Sequence, residues 1–494
     1  MTSIVAFFEA DFPATLYPLK TNLLMVQNHA QGLSDYIYQR VVNSSNDADS
    51  FLAQQKVFAT KQKGHIRRTV KLDPVAEYFI YDIVYRNRSL FRPEVSDKRR
   101  SFGYRFKDGN RIPVHIAYNE YKQYLGGCSL IYDHNIQFDI ASYFNSLYHH
   151  DIAHWFASAP NVTDTDSAAL SQFFREINAG RSVDFMPHGI YPTKMIGNEF
   201  LKFIDLHGQL KSAKIVRFMD DFTLFDDDPD VLALDFVKIQ QLLGQYALNV
   251  NPSKTAFDNS VGDVKEALSQ IRQSLKEIVT EYEEVPTESG VELIETDVEI
   301  VRNLNAHQVD ALIELLKDEN IEESDADLIL GFLRSHSDSL LEQLPILLRR
   351  FPNLIKHIHT VCSGITDKNE LVEVLKDFLG NNDHLLEYQL FWIGAIVEDY
   401  LIGAGNYGTV LLQLFEKSGD HKIARAKILE IPEQGFGLKD IRAEYLKTGQ
   451  SDWLSWASAV GSRSLKAAER NYVLDYFSKG SAMNFLIAAC VKKL

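Results

Sequence analysis

Apolar positions in the first half of the chain follow two different periods. Short apolar runs such as Ile215–Phe218 and Phe222–Phe225 have the length typical of buried β-strands. The stretch Ala168–Asn178 instead places its apolar residues three and four positions apart, which is typical of an amphipathic helix. This mixture predicts an α+β domain over residues 1–260.

From about Val301 onward the pattern is helical almost throughout. Leucines recur there at three- and four-residue spacing: Leu340, Leu341, Leu344, Leu347 and Leu348. Further blocks of the same kind are Leu371–Phe378, Leu385–Tyr400, Val410–Phe415 and Leu465–Tyr476. Short helices separated by Gly, Asn, Asp and Pro are similar to the stacked helix pairs of HEAT repeats. We therefore expect an all-α domain over residues 301–494 with HEAT-like character.

An acidic segment separates these two parts. Glu281–Asp297 reads EYEEVPTESGVELIETD and is interrupted by Pro286 and Gly290. Such a composition is typical of a solvated connector, because it offers little apolar surface to bury and contains residues that break helices and strands. We predict a linker over residues 261–300.

Charge is distributed unevenly along the chain. The formal net charge is −16, which argues against a nucleic-acid partner if only the sum is considered. Residues 1–260 are nearly neutral, with 27 Lys and Arg against 29 Asp and Glu, whereas residues 261–494 have 24 against 38. Within the first part, residues 51–111 have 15 basic side chains against 6 acidic ones. The pattern predicts a local basic surface on an acidic protein.

The cysteines and the N-terminal residues indicate in which cellular compartment the protein is expected. Cys128, Cys362 and Cys490 are far apart and form no CxxC pair, so neither a disulfide framework nor a cysteine-built zinc site is expected. Residues 1–10 have no basic lead or cleavable apolar core, and no run reaches the length of a membrane span. A cytoplasmic protein without a membrane partner is the expectation.

Paired acids between two strand-like runs are the strongest chemical signal. Asp220 and Asp221 separate Phe218-Met219 from Phe222–Phe225, which predicts a β-hairpin with carboxylates at its tip. A third acid, Asp139, lies upstream at the end of another strand-like run, which begins at Ile136. Two-metal phosphoryl transfer needs carboxylates from adjacent strands, and hard cations such as Mg²⁺ or Mn²⁺ take oxygen ligands. Two such ions are the predicted cofactors.

Two further segments complete an ordered set. His188–Lys194 (HGIYPTK) is a turn before a helical run, and Leu248–Thr255 reads LNVNPSKT. Together with the segments of Asp139 and Asp220-Asp221, they resemble the successive palm motifs of reverse transcriptases. The resemblance covers about a quarter of the chain, and it implies a fingers-and-palm fold with DNA polymerase activity on dNTP substrates.

The matched positions imply roles for individual residues. Asp139 and Asp220 would bind both metals, assisted by Asp221, and Ile140 joins them as a metal-site residue. Phe144 matches the aromatic residue that blocks a ribose 2′-hydroxyl and so favours dNTP over rNTP. Lys254 matches the lysine that donates a proton to leaving pyrophosphate, and Thr193 matches a position that contacts the templating base or sugar.

The basic stretch before Asp139 is where such enzymes have their fingers. Guanidinium groups bind phosphates bidentately, so one or two arginines there should hold the triphosphate of the incoming nucleotide. Arg105, in the segment Ser101–Arg105, is the main candidate, and Arg99 is the second.

The helical second part bears on the kind of polymerase. A palm followed by a large α-helical domain resembles the bacterial abortive-infection polymerases of the AbiK and AbiA type, including prophage-encoded relatives. That resemblance implies phage defence, template-independent synthesis of single-stranded DNA, a protein hydroxyl such as a tyrosine as primer, and a homo-oligomer.

Two alternatives remain open. The first is a templated RNA-directed DNA polymerase of the retron or mobile-intron kind. This alternative predicts a basic segment after Lys254, whereas residues 261–300 are acidic. The second is a catalytically silent scaffold that binds nucleic acid. The presence of three aspartates, Phe144 and Lys254 argues against the scaffold.

Overall fold

The structure is a computed structural model that describes residues 3–42, 49–61, 64–91, 96–180, 186–257, 284–287, 290–293, 304, 306–318, 321 and 323–494. It is a mixed α/β structure, 63% helical, with a C-terminal helical region. The predicted combination of a mixed first part and a helical second part is therefore confirmed at this level.

The strands lie mainly in the first half of the chain. They are β1 (Gln55–Thr60), β2 (Ile66–Lys71), β3 (Arg99–Phe102), β4 (Phe106–Lys107), β5 (Asn110–Arg111), β6 (His134–Asp139), β7 (Lys214–Phe218), β8 (Asp221–Asp226), β9 (Ala256–Phe257), β10 (Glu284–Thr287) and β11 (Gly290–Leu293). The last two pair antiparallel, and the rest of the predicted linker over residues 261–300 lies outside the described residues.

Helices surround and follow these strands. In the first part they are α1 (Ile4–Asp11), α2 (Lys20–Tyr36), α3 (Pro74–Arg86), α4 (Val114–Ser129), α5 (Tyr143–Ser146), α6 (His149–Ser158), α7 (Asp164–Ile177), α8 (Tyr191–Phe200), α9 (Lys202–Asp205) and α10 (Pro229–Gly244). In the second part they are α11 (Ala306–Lys317), α12 (Glu323–Phe332), α13 (Leu344–Arg350), α14 (Ile355–Gly364), α15 (Lys368–Gly380), α16 (Glu387–Ile396), α17 (Tyr407–Ser418), α18 (Lys422–Glu430), α19 (Leu438–Lys447), α20 (Trp453–Gly461), α21 (Ala467–Phe477) and α22 (Ala482–Val491).

A five-stranded sheet with the order β3-β7-β8-β6-β9 forms the centre of the first part. β3 runs parallel to β7, and the other neighbours are antiparallel. On one face the rings of Phe138 and Phe222 stack 5.2 Å apart, and Phe138 packs on Phe236 of α10. On the other face Phe218 packs against Tyr118 and Tyr121 of α4. Burial of such rings contributes about 1.5–3 kcal/mol each, so both faces anchor the hairpin of β7 and β8.

The contacts divide the chain into two compact units. Unit 1 consists of Met1–Thr15, Ser34–Gln55 and Val75–Lys265, and unit 2 of Leu16–Leu33, Lys56–Pro74 and Glu266–Leu494. The predicted division into 1–260 and 301–494 therefore differs from the observed one, because two early segments pack with the C-terminal helices.

Long-range capping explains one of these early segments. The carboxylate of Glu430 accepts hydrogen bonds from the backbone N–H groups of Lys20 (2.9 Å) and Thr21 (2.8 Å), at the start of α2. A carboxylate at a helix N-terminus satisfies N–H groups that lack partners within the helix. Since Glu430 lies 410 residues from Lys20, no local pattern indicates this contact.

Unit 2 is built from helices that pack on helices two positions further along the chain, as α16 on α18, α18 on α20 and α20 on α22. The predicted helical blocks are confirmed: Leu371–Phe378 lies in α15, Leu385–Tyr400 spans α16, and Val410–Phe415 lies in α17. The HEAT-like assignment stays a prediction. Within the described ranges, every helix is too short or too polar to traverse a lipid bilayer.

Candidate functional site

The hairpin of β7 and β8 ends in the two-residue turn Met219-Asp220. Met219 has a φ of +57°, whereas the φ of Asp220 is not positive, which is the pattern of a type II′ turn. Glycine is favoured at the first position of that turn, and a side chain there costs on the order of 1–3 kcal/mol. The turn is therefore held by its surroundings, and it presents Asp220 and Asp221 at the strand end.

Asp139 lies directly across the sheet from this hairpin. It ends β6 and is the register partner of Asp221 on β8. Residues directly opposite each other on one face of an antiparallel pair have Cβ atoms about 4.5–5.5 Å apart. Asp139 and Asp220 are 8% and 6% exposed. The predicted carboxylates therefore share one end of the sheet.

The segment before Lys254 pairs with the end of β6. The backbone N–H of Asn251 donates to the carbonyl of Asp139 (2.9 Å), and that of Ala141 donates to the carbonyl of Asn249 (2.8 Å). A short 3₁₀ turn, Pro252–Lys254, follows. This pairing brings Nζ of Lys254 to 2.7 Å from Oδ2 of Asp139.

The charges of all three aspartates act on the ammonium of Lys254. Burial lowers the pKa of its ammonium, but the hydrogen bond to Asp139 and the charges of Asp139, Asp221 and Asp220 outweigh burial and raise the pKa above its ordinary value of 10.5. One cation therefore lies within electrostatic range of the whole acidic group, although two-thirds of its side chain is exposed.

The donor set suits hard cations. Oδ1 of Asp139 is buried and has no hydrogen-bond partner in the structure, and carboxylate oxygens are the ligands that Mg²⁺ and Mn²⁺ prefer. In the described part of the chain, no three His, Cys, Asp or Glu side chains already form a metal-binding cluster. Asp139 is paired with the ammonium of Lys254, so an ion bound at this carboxylate would share it with the lysine.

The backbone of Ile140 directly follows Asp139 in the chain. It forms an isolated bridge with Val250, and the hydrogen bonds of that bridge use the Asp139 carbonyl and the Ala141 N–H. The carbonyl of Ile140 takes no part in the bridge. The structure therefore places the backbone of Ile140 next to Asp139, and its role as a metal-site residue stays a prediction.

Phe144 is placed in the core rather than on an open surface. It is 2% exposed, and its ring packs on that of His188 at 4.8 Å. A Cβ atom on Gly197 of α8 would lie 3.2 Å from Cζ of Phe144. A glycine at this point lets the ring approach the helix closely, and the role of Phe144 in sugar selection stays a prediction.

Thr193 is also buried. The predicted turn before a helix is present: Gly189 has a φ of +92°, and Pro192 lies in the first turn of α8. Within that turn Thr193 is fully buried, and its hydroxyl donates to the carbonyl of Ile190 at 3.0 Å. The structure therefore does not present Thr193 to a base or sugar.

Arg105 lies close to the hairpin but is engaged by other groups. Its guanidinium donates to the carbonyl of Ser101 (3.0 Å) and to Glu120 of α4 (3.2 Å). Two residues earlier, a Cβ atom on Gly103 would lie 3.4 Å from Cγ of Met219. The cleft beside Arg105 has a volume of about 440 Å³, and its lining includes Arg100, Phe102, Lys107, Glu120 and Tyr124. Binding a triphosphate there would require Arg105 to exchange Glu120 for phosphate.

Arg99 is not brought to the site. Its guanidinium donates to the carbonyls of Lys98, Ser212 and Leu210, each at 2.8 or 2.9 Å. Arg99 begins β3, whereas Phe102 at the end of that strand pairs with Phe218 beside the turn. Three residues of a strand span about 10 Å. Arg99 therefore stabilises a loop at the other end of the sheet.

Sequence reasoning missed Tyr121 of α4. It is 6% exposed, and burial followed by the charge of Asp221 raises the pKa of its hydroxyl, against a hydrogen bond with Thr223. Tyr121 therefore lies within electrostatic range of Asp221. The signal was present in the three-residue spacing of Tyr118, Tyr121 and Tyr124, which places these rings along one side of a helix.

A buried lysine on α8 was missed as well. Lys194 is 6% exposed, and its ammonium donates to the hydroxyl of Tyr104 at 2.9 Å. Tyr104 follows Gly103 and packs on Phe218. Lys194 is thus a second cation near β7, the strand that leads to Asp220 and Asp221. The residues around Lys194 in the sequence gave no sign that it is buried.

Comparisons with known proteins add little to this geometry. No model of a protein family matches the chain, and no curated protein matches it. Among solved structures 53 chains match. One is telomerase from Candida albicans in complex with a TWJ fragment of telomeric RNA, which is 12% identical, with a TM-score of 0.29 over 80% of this chain and 66% of that chain. A TM-score that low supports no inference about fold or activity.

Proposed function

We propose that this chain is a nucleotidyltransferase of the reverse-transcriptase type that adds dNTPs by two-metal phosphoryl transfer at Asp139, Asp220 and Asp221. The observation that carries the proposal is the electrostatic grouping of these three carboxylates around the ammonium of Lys254. Acids from two paired strands can supply the metal ligands for phosphoryl transfer. The lysine next to them can supply a charge partner for the phosphate.

Each residue has a distinct task in this proposal. Asp139 and Asp220 would hold two Mg²⁺ or Mn²⁺ ions, with Asp221 assisting and Ile140 alongside. Such ions, when bound, neutralise phosphate charge and activate the attacking hydroxyl. The turn at Met219 keeps the two hairpin carboxylates at fixed positions, and Tyr121 lines the buried side of the group.

Lys254 would hold and then release a proton. Its ammonium is bonded to Asp139, and its raised pKa keeps it protonated at neutral pH. A protonated lysine beside the leaving pyrophosphate serves as both charge partner and acid. Because the shift is upward, loss of this proton should limit the rate only at a pH above the ordinary lysine value of 10.5.

Replacing Lys254 by methionine tests this role. We expect the rate of dNTP incorporation to fall by roughly 100-fold or more, the usual contribution of a positioned acid. Lys211→Met is the matched control because Lys211 is also exposed and lies outside the acidic group. Equal rates for the wild type and Lys254→Met would remove Lys254 from the mechanism.

Phe144 offers a test of sugar selection. We expect Phe144→Ala to raise the use of rNTP relative to dNTP by at least about 10-fold, since a smaller side chain would admit a 2′-hydroxyl. The measurement is kcat/KM for each nucleotide, with thermal unfolding as a check because Phe144 is buried. Phe173→Ala, a buried substitution in α7, should lower stability without changing this ratio.

The finer proposal concerns template and primer. We propose template-independent synthesis of single-stranded DNA from a protein hydroxyl, in a homo-oligomer that acts in abortive infection against phage. The acidic balance of residues 261–494, 24 basic against 38 acidic side chains, supports this proposal because it would repel a long template duplex. The competing functions are templated synthesis on RNA and a silent scaffold.

One assay separates these functions. Purified protein is given labelled dNTPs with Mg²⁺ or Mn²⁺, either alone or with a primed RNA template, and the products are run on a denaturing gel. The proposal predicts label that migrates with the protein without a template. Activity only with the template would favour templated synthesis, and no incorporation in either case would favour the scaffold.

A further inference from the structure

A fully buried arginine lies beneath the turn that presents the aspartates. Arg217 of β7 is 0% exposed. Its Nε donates to both carboxylate oxygens of Asp205, at 3.1 and 2.9 Å, and its Nη2 donates to Oδ2 of Asp205 at 2.6 Å. Its Nη1 donates to Oδ1 of Asn198 (2.8 Å) and to the carbonyl of Met219 (3.2 Å).

The hydrogen bond from Arg217 to the carbonyl of Met219 holds a residue with a strained backbone. Met219 is the turn residue with a φ of +57°, and it immediately precedes Asp220. Asp205 ends α9 and Asn198 lies in α8, so the guanidinium connects two helices to the carbonyl of Met219. Since the planar guanidinium has donors in fixed directions, its orientation on Asp205 determines where the donor for Met219 points.

We infer that Arg217, oriented by Asp205 and Asn198, is a positioning residue that fixes the backbone of the turn and thereby the carboxylates of Asp220 and Asp221. The inference rests on the proposed function for its effect on catalysis. Its structural part, that Arg217 holds the turn at Met219, stands on the contacts alone.

A purely stabilising role would not need this charged pair. Replacing a buried ion pair by apolar residues of similar volume is often neutral or stabilising, whereas removing one partner leaves an uncompensated buried charge. A role in positioning differs in its consequence. It is lost whenever Arg217 is replaced, whether or not Asp205 is replaced as well, because no side chain at position 217 then donates to the carbonyl of Met219.

The test compares Arg217→Met, Asp205→Leu and the double variant with the wild type as full-length proteins. Thermal unfolding reports stability, and amide hydrogen exchange of the peptide 218–222 reports the turn without any need for activity. Arg442→Met is the matched control, because Arg442 is a buried arginine of unit 2 whose guanidinium also donates to backbone carbonyls, among them those of Leu429 and Ile431.

We expect the single variants to lose stability and the double variant to recover most of it. In the double variant the 218–222 peptide should still exchange faster than in the wild type. Its dNTP incorporation should stay about 100-fold lower than that of the wild type, because a small misplacement of catalytic groups lowers the rate by about this factor. In Arg442→Met the exchange of that peptide should be unchanged.

Two results would overturn the inference. Wild-type exchange of the 218–222 peptide in the double variant would show that Arg217 does not hold the turn. Recovery of incorporation together with stability would show that the pair acts on stability alone. If the wild type itself incorporates no nucleotide, the proposed function fails, and the exchange measurement still decides the role of Arg217.

Discussion

Replacing Asp220 by asparagine is expected to lower dNTP incorporation by at least about 1,000-fold, because an amide retains the shape of the carboxylate but not its charge for the metal ions. Asp139→Asn should have the same effect, since Asp139 lies opposite Asp221 in register and has a buried oxygen without a partner. Binding of Mn²⁺, followed by electron paramagnetic resonance, should weaken in both variants.

The matched control for these substitutions is Asp230→Asn. Asp230 is an exposed aspartate in the first turn of α10, so the same chemical change is made outside the acidic group. Both activity and Mn²⁺ binding should remain at the wild-type level in this variant. Incorporation that survives in Asp220→Asn, with thermal unfolding unchanged, would mean that the chemistry lies elsewhere.

Replacing Lys427 by methionine should produce the largest loss of stability in unit 2. The side chain of Lys427 is 2% exposed, and its ammonium lies 2.5 Å from Glu398 and 3.0 Å from Glu430. Its removal leaves buried carboxylates without their main partner, which costs on the order of 3–5 kcal/mol in the free energy of unfolding. Chemical denaturation, followed by circular dichroism at a helical wavelength, measures the change.

The pH dependence of this loss follows from the pKa shifts. Burial lowers the pKa of Lys427, but the charges of Glu398 and Glu430 outweigh burial and raise it, so its contribution is lost only as pH rises above 10.5. Burial raises the pKa of Glu398, but Lys427 and Lys20 outweigh burial and lower it, so its contribution is lost as pH falls below 4.5. Between these values the stabilisation that the ion pair gives the wild type is therefore fully present.

Lys422→Met serves as the control for the stability experiment. Lys422 begins the same helix, α18, and is exposed, so its loss should change the free energy of unfolding by no more than about 0.5 kcal/mol. If Lys427→Met were as stable as this control, the buried ion pairs of unit 2 would contribute nothing to its fold.

The hairpin that carries Asp220 and Asp221 could be predicted from local rules, because two short apolar runs meet at the paired acids. The inclusion of Asp139 and Lys254 came instead from the order of the segments, which resembles the palm motifs of reverse transcriptases. The register that places Asp139 opposite Asp221 and the ion pair between Asp139 and Lys254 are long-range contacts that the structure adds.

The remaining site predictions depended on contacts that the sequence does not encode locally. Arg99 is held by carbonyls more than 100 residues away, at Leu210 and Ser212, and Arg105 is paired with Glu120 of another element. Whether Phe144 faces a ligand or the core depends on which helix packs above it. An arginine or aromatic residue next to a motif therefore does not reveal its partner.

The most direct test of the central claim is release of pyrophosphate from dNTPs, because each nucleotide transferred must release one whatever the primer or template. The measurement uses purified wild-type protein with Mn²⁺, beside Asp220→Asn and Asp230→Asn. We expect the wild type and Asp230→Asn to release pyrophosphate and Asp220→Asn to have lost this release. Release that is equal in all three proteins, or absent from the wild type with and without a template, would contradict it.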